Sequence, residues 1–163
     1  AAVAAGFIAD ARALTQMIRV RAQMHKITYE EPIDIWNIGK IIGNRMQLIT
    51  QYGGLRPFGV SMLLGGVEED GSIKLFLTEP YGLYFQYKAV VIGEGETDIE
   101  PALLKRYKPN LTVEEGLRLG LELLKDFLKT EFSLERIDAV VVRAADKRYT
   151  KLSQDEMKNI LKY

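Results

Sequence analysis

Apolar positions along the chain switch between two periods, and the switches mark the elements. Ala1 to Ile8 is a short apolar run that reads as a strand. Beyond it Ala11, Thr15, Ile18, Ala22 and His25 recur at helical spacing, Leu14, Met17 and Met24 form a second stripe, and Arg12, Gln16, Arg19, Gln23 and Lys26 form a polar third. Two apolar stripes on one helix require two neighbours. Glu31-Pro32 stops this helix, and a second, from about Asp34 to Tyr52, sets Ile35, Ile38, Ile42, Met46 and Ile49 on one side. Gly39 and Gly43 on that helix leave room for another backbone.

Gly53-Gly54 ends the second helix, and the apolar run Val60 to Val67 has the length and continuity of a strand covered on both faces. Asp70-Gly71 predicts a tight two-residue hairpin turn, with Ile73 to Leu77 as the return strand. Pro80-Tyr81-Gly82 makes a further turn before an aromatic and β-branched strand over Leu83 to Ile92. The pattern is helical again from Gly95, with Pro101 in the first turn and Pro109 closing the segment. Thr112 with Glu115, and Ser153 with Glu156, have the spacing of capping boxes and mark two further helix starts. Between those helices Ile137 to Val142 is a short buried strand, paired with Arg148 to Leu152. Blocks of helices alternating with blocks of strands predict one α+β layered domain.

Composition narrows the function more by exclusion than by assignment. The 22 basic residues balance 22 acidic ones, so no field favours nucleic acid or an anionic membrane, and the absence of cysteine removes disulfides and thiolate metal sites. No apolar run approaches a membrane span. The sole histidine, His25, continues a helical stripe and fits a core or interface role better than catalysis. A serine triad therefore has no plausible base. Glu68-Glu69-Asp70 reads as a solvated turn, and Gly93-Glu94-Gly95 lacks a third glycine at Asp98 and carries acids that repel phosphate. Arg143, Lys147, Arg148 and Lys151 read as a solvated hairpin, and Gly116 and Gly120 as points of close helix packing. No cofactor or metal is called for.

Several segments resemble one family in order along the whole chain. Gly6-Phe7-Ile8-Ala9-Asp10-Ala11-Arg12 resembles the strand-to-helix signature of proteasome subunits, with the closing arginine of the α type. Gln51-Tyr52-Gly53-Gly54-Leu55-Arg56-Pro57-Phe58-Gly59-Val60 is similar to the segment by which α-type subunits are recognised. Thr28-Tyr29-Glu30-Glu31-Pro32-Ile33, Tyr87-Lys88-Ala89 and Ile92-Gly93 also fall in family order.

The resemblance, archaeal-like in character, implies an αββα sandwich of the N-terminal nucleophile hydrolase type over 1–163, and a helix and several strands ahead of Gly6 that complete the family's N-terminal third. It implies a non-catalytic cytoplasmic subunit of a ring of seven α-type subunits capping proteolytic β rings. Its partners are then other α-type subunits, β-type subunits and an ATPase activator. Active relatives need an N-terminal threonine, where this sequence has Ala1, and a Gly-Ser-Gly turn, where it has Glu94. The alternatives are a hydrolase of the same fold with an unrecognised nucleophile, and a free-standing interaction module. Structural or interface roles fall to Asp10, Arg12, Arg19, Arg56, Phe58 and Gly59. Arg56, on a loop stiffened by Pro57, is expected to clamp its turn through carbonyls or a carboxylate.

Overall fold

A computed structural model describes residues 1–162. Contacts group the chain into two compact units, Ala1–Lys88 and the residues from Ala89 onward. In the first unit, β1 (Ala2–Gly6), α1 (Ile8–Tyr29), α2 (Ile35–Thr50), β2 (Val60–Val67), β3 (Ile73–Thr78) and β4 (Tyr84–Gln86) follow one another. The strands form a fully antiparallel sheet in the order β1-β2-β3-β4.

Alternation along β2 decides which face of the sheet carries the core. Val60, Met62 and Leu64 are buried and join Phe76 of β3 beneath Leu14 of α1 and Ile42 and Met46 of α2. Full burial of each such side chain contributes about 1.5–3 kcal/mol of transfer free energy. The intervening Ser61, Leu63 and Gly65 are half-buried, so β2 is not covered equally on both sides. α2 starts where Asp34 accepts a hydrogen bond from the Asn37 amide at 2.7 Å and Glu68 accepts one from the Ile35 amide at 2.9 Å, satisfying two of the free N–H groups of its first turn. Glu68 is thus a structural acceptor. On the same helix, a Cβ at Gly43 would lie 2.7 Å from the Gly82 carbonyl oxygen, whereas at Gly39 it would meet only ordinary contacts.

The β2–β3 connection is looser than a two-residue turn. Val67 pairs with Ile73, the Glu68 amide donates to the Ser72 carbonyl at 2.9 Å, and the Gly71 amide donates to the Glu68 carbonyl at 3.0 Å. This leaves a three-residue loop of Glu69, Asp70 and Gly71. Only Gly71 takes a left-handed φ, of +82°, so glycine is demanded once. The strand expected over Leu83 to Ile92 is confined to Tyr84–Gln86: β3 ends at Thr78, the partner of Tyr84, and past Gln86 the Tyr87 amide still donates to the Leu75 carbonyl at 2.8 Å before the chain bends away at Lys88 and Ala89.

In the second unit, α3 (Glu96–Arg106) and α4 (Val113–Leu128) enclose Ile99, Leu119 and Leu123. A β5–β6 hairpin (Val140–Val142 with Tyr149–Lys151) and α5 (Gln154–Lys162) share a second cluster of Leu121, Val141, Leu152 and Met157. The Thr112–Glu115 capping box is formed in both directions, and Ser153 and Glu156 exchange the same bonds ahead of α5. Pro101 lies inside α3 and not in its first turn, since the helix begins at Glu96 after a left-handed Gly95. There it removes one backbone donor from the helix interior. Gly116 and Gly120 face open space, so the close packing expected of them does not occur.

Both units combine helices with antiparallel strands, the α+β class that the sequence predicts. No described helix is long and apolar enough to cross a membrane.

Two glycines on helix surfaces therefore have opposite expected responses to alanine. Gly43→Ala forces a methyl into the Gly82 carbonyl and is expected to destabilise the protein by about 1–3 kcal/mol. Gly120→Ala, exposed in the middle of α4, is expected to stabilise it by about 0.5–1 kcal/mol. Urea unfolding of the two variants beside the parent checks both signs.

Candidate functional site

The junction between β1 and α1 is tied to the loop between α2 and β2 by one carboxylate. Asp10, in the first turn of α1, accepts a bidentate pair from Arg56, Nη1 to Oδ2 at 2.7 Å and Nη2 to Oδ1 at 2.9 Å, and a third bond from the Gly59 amide at 2.9 Å. The matched planes of guanidinium and carboxylate make this the stronger kind of ion pair. Asp10 is 8% exposed although charged, and its position at a helix N-terminus further favours the anion. Arg56 also donates to its neighbour's carbonyl, Pro57 O, at 2.9 Å.

Backbone and ring contacts complete the tie. The Phe7 amide donates to the Gly59 carbonyl at 2.8 Å, continuing the β1–β2 ladder one step beyond the Gly6–Val60 pair. The Phe7 ring lies 5.2 Å beneath the Arg56 guanidinium and against Gly59, where any Cβ would come within 2.5 Å of it. Gly6 has φ +124° and a space in which a Cβ would strike the Gly59 carbonyl oxygen. Glycine is thus required on both sides of the crossing. Phe58 packs against the core of the first unit and fixes the start of β2.

Arg12 and Arg19 are not part of this tie. They line, with Gly6, Ile8, Thr15 and Gln16, an open cleft of about 570 Å³ beside β1. The six residues singled out in the sequence therefore divide into Asp10, Arg56, Phe58 and Gly59 at the crossing and Arg12 and Arg19 along the cleft. The sequence gives no sign of the Phe7–Arg56 stack or of the Asp10–Arg56 pairing across 46 residues.

The arginine hydrogen bonds, and after them the Gly59 amide, hold the Asp10 carboxyl below its ordinary pKa. A carboxylate with a depressed folded-state pKa adds stability above its unfolded value of about 3.9, and this is lost as pH falls through the folded value. Asp10→Asn is expected to remove that part of the acid dependence, so parent and variant should converge in thermal midpoint below this range and diverge above it. Arg56→Ala should lower the midpoint at neutral pH and Arg56→Lys should recover only part of the loss, because an ammonium lacks the planar fork. Thermal unfolding of the three variants across acid and neutral pH measures both effects.

Comparisons with known proteins bear on the family of the chain. A family model described as proteasome subunit matches residues 1–142. Proteins named proteasome subunit alpha are similar along almost the entire chain. That of Methanobrevibacter smithii is 38% identical over 160 residues, covering 98% of this chain and 64% of the relative. That of Pyrococcus horikoshii is 38% identical over 161 residues, covering 99% and 61%. That of Methanothermobacter thermautotrophicus is 35% identical over 158 residues, covering 97% and 63%. The chain thus spans about 61–64% of the length of these relatives. From the extent of the family match, the chain belongs to the proteasome subunit family.

Proposed function

We propose that this chain acts as a non-catalytic α-type subunit of a 20S proteasome core, helping to build the outer ring that caps the proteolytic β rings and controls substrate entry. The observation that carries this reading is its 35–38% identity, over nearly all its length, to proteins named proteasome subunit alpha. The partners are then further α-type subunits, β-type subunits and an ATPase activator, and the compartment is the cytoplasm.

Features of the chain itself support a scaffold over a hydrolase. Glu94 stands in the turn where active relatives are expected to carry a hydroxyl, and a carboxylate there would oppose a developing oxyanion. The one imidazole, His25, stacks on Tyr29 with ring centroids 4.6 Å apart and lies 3.9 Å from a Glu31 oxygen. Along α1 the stripe Arg12, Gln16, Arg19, Gln23 and Lys26 is exposed, whereas Ala11, Leu14, Thr15 and Ile18 turn inward. Such a stripe suits a hydrated contact with a neighbouring subunit.

Two outcomes are expected. The purified chain, freed of β-type subunits, should leave fluorogenic peptides uncleaved; turnover that survives their removal would refute the non-catalytic reading. Arg19→Glu should weaken co-purification with β-type subunits while leaving the thermal midpoint within the range of an ordinary surface change, because a rim charge affects association more than folding. Undiminished co-purification would remove α1 from the proposed contact.

A further inference from the structure

The loop between β2 and β3 holds the one aspartate of this sequence that is followed by glycine. That dipeptide has a chemistry of its own. The backbone nitrogen of the glycine, unhindered by a side chain, can attack the aspartate Cγ; the nitrogen loses its proton, the carboxyl loses its hydroxyl, and the two leave as water. The product is a five-membered succinimide. Water then opens the ring at either carbonyl, regenerating aspartate or giving isoaspartate, in which the main chain runs through the former side-chain carboxyl. The water released in the first step balances the water consumed in the second, and no oxidant or other reactant is needed.

Asp70 and Gly71 are both exposed, so water has access. In the folded loop, however, each reacting group is occupied. The Gly71 nitrogen donates to the Glu68 carbonyl at 3.0 Å, and Asp70 Oδ1 accepts from the Ser72 amide at 2.8 Å, one residue beyond the nitrogen that Cγ would have to meet. Ring closure therefore requires both bonds to open. Hairpin tips open at much lower cost than core strands, so the fold delays the reaction without abolishing it. The other aspartates precede alanine, isoleucine, phenylalanine, lysine or glutamate, whose side chains hinder the same attack.

We propose that Asp70 is a site of spontaneous isomerisation to isoaspartate in this protein, and that the hydrogen bonds of the β2–β3 loop set its rate. The product would matter to the fold. It inserts an extra main-chain carbon between Glu68 and Ser72, whose backbone bond of 2.9 Å closes the hairpin. The same ladder continues to the Leu64–Phe76 pair in the core. Loss of its closing step loosens the end of the sheet furthest from the Asp10–Arg56 tie.

Ageing the protein in heavy-oxygen water at fixed pH and temperature, folded in one sample and denatured in guanidinium in another, tests the proposal. The peptide holding residue 70 is then read for isoaspartate and for gained heavy oxygen. Isoaspartate should accumulate there in the folded protein, roughly tenfold more slowly than in the denatured chain because the loop must first open. Asp70→Glu should abolish the signal, since a six-membered ring closes far more slowly. A folded protein that shows none at residue 70 while the denatured chain does would overturn the site, and equal rates in the two samples would overturn control by the loop.

Discussion

The Asp10 carboxylate is the point through which the first unit is tied together. It is nearly buried, so it needs partners, and it finds them in the two Nη donors of Arg56 and the Gly59 amide. Removing either side would leave a charge or a backbone donor unsatisfied, which costs more than the net value of the bonds themselves. Through this group the start of α1, the end of β1 and the entry to β2 share one geometry. The glycines at 6 and 59 follow from it, because the strands and the Phe7 ring approach there too closely for any Cβ.

Fixing that crossing also fixes what lies on either side. Once β1 is locked to β2, the alternation of β2 directs Val60, Met62 and Leu64 toward Leu14, Ile42 and Met46. Once α1 leaves Phe7 at a set angle, Arg12 and Arg19 fall along the cleft beside β1, one α-helical face away from the core residue Leu14. Under the proposed role as a ring subunit, a rigid junction of this kind would let an exposed helix present its polar stripe without deforming when a neighbour binds, which keeps the entropic cost of association low.

Local physics was readable from the sequence wherever one element sufficed to specify it. The bounds of β2, the Asp34 start of α2 and the two capping boxes appear where spacing and side-chain chemistry put them. What escaped depends on distant partners. Leu83 to Ile92 has the composition of a long strand, but the chain bends away from β3 at Lys88 and Ala89 although β3 runs on to Ile73, and composition does not say where a strand leaves its neighbour. Gly116 and Gly120 have the spacing of a helix contact, yet no neighbour faces them. The loop at Asp70-Gly71 gained a residue because Glu68 is held by the N-terminus of α2, a restraint invisible in the dipeptide. At the Asp10 crossing, Arg56 was recognisable as a clamp in search of an acceptor, whereas the identity of the acceptor required the fold.

Native-state amide hydrogen exchange measures the dependence on that crossing most directly. In the parent protein the amides of Phe7 and Gly59 should exchange slowly, since both are donors there, to a carbonyl and to the Asp10 carboxylate respectively. In Arg56→Ala these two should lose protection while the amides of the Leu64–Phe76 region remain protected, because the tie opens locally and the core does not. Unchanged protection at Phe7 and Gly59 in the variant would contradict the account, and would mean that the ladder and the apolar core alone hold the junction.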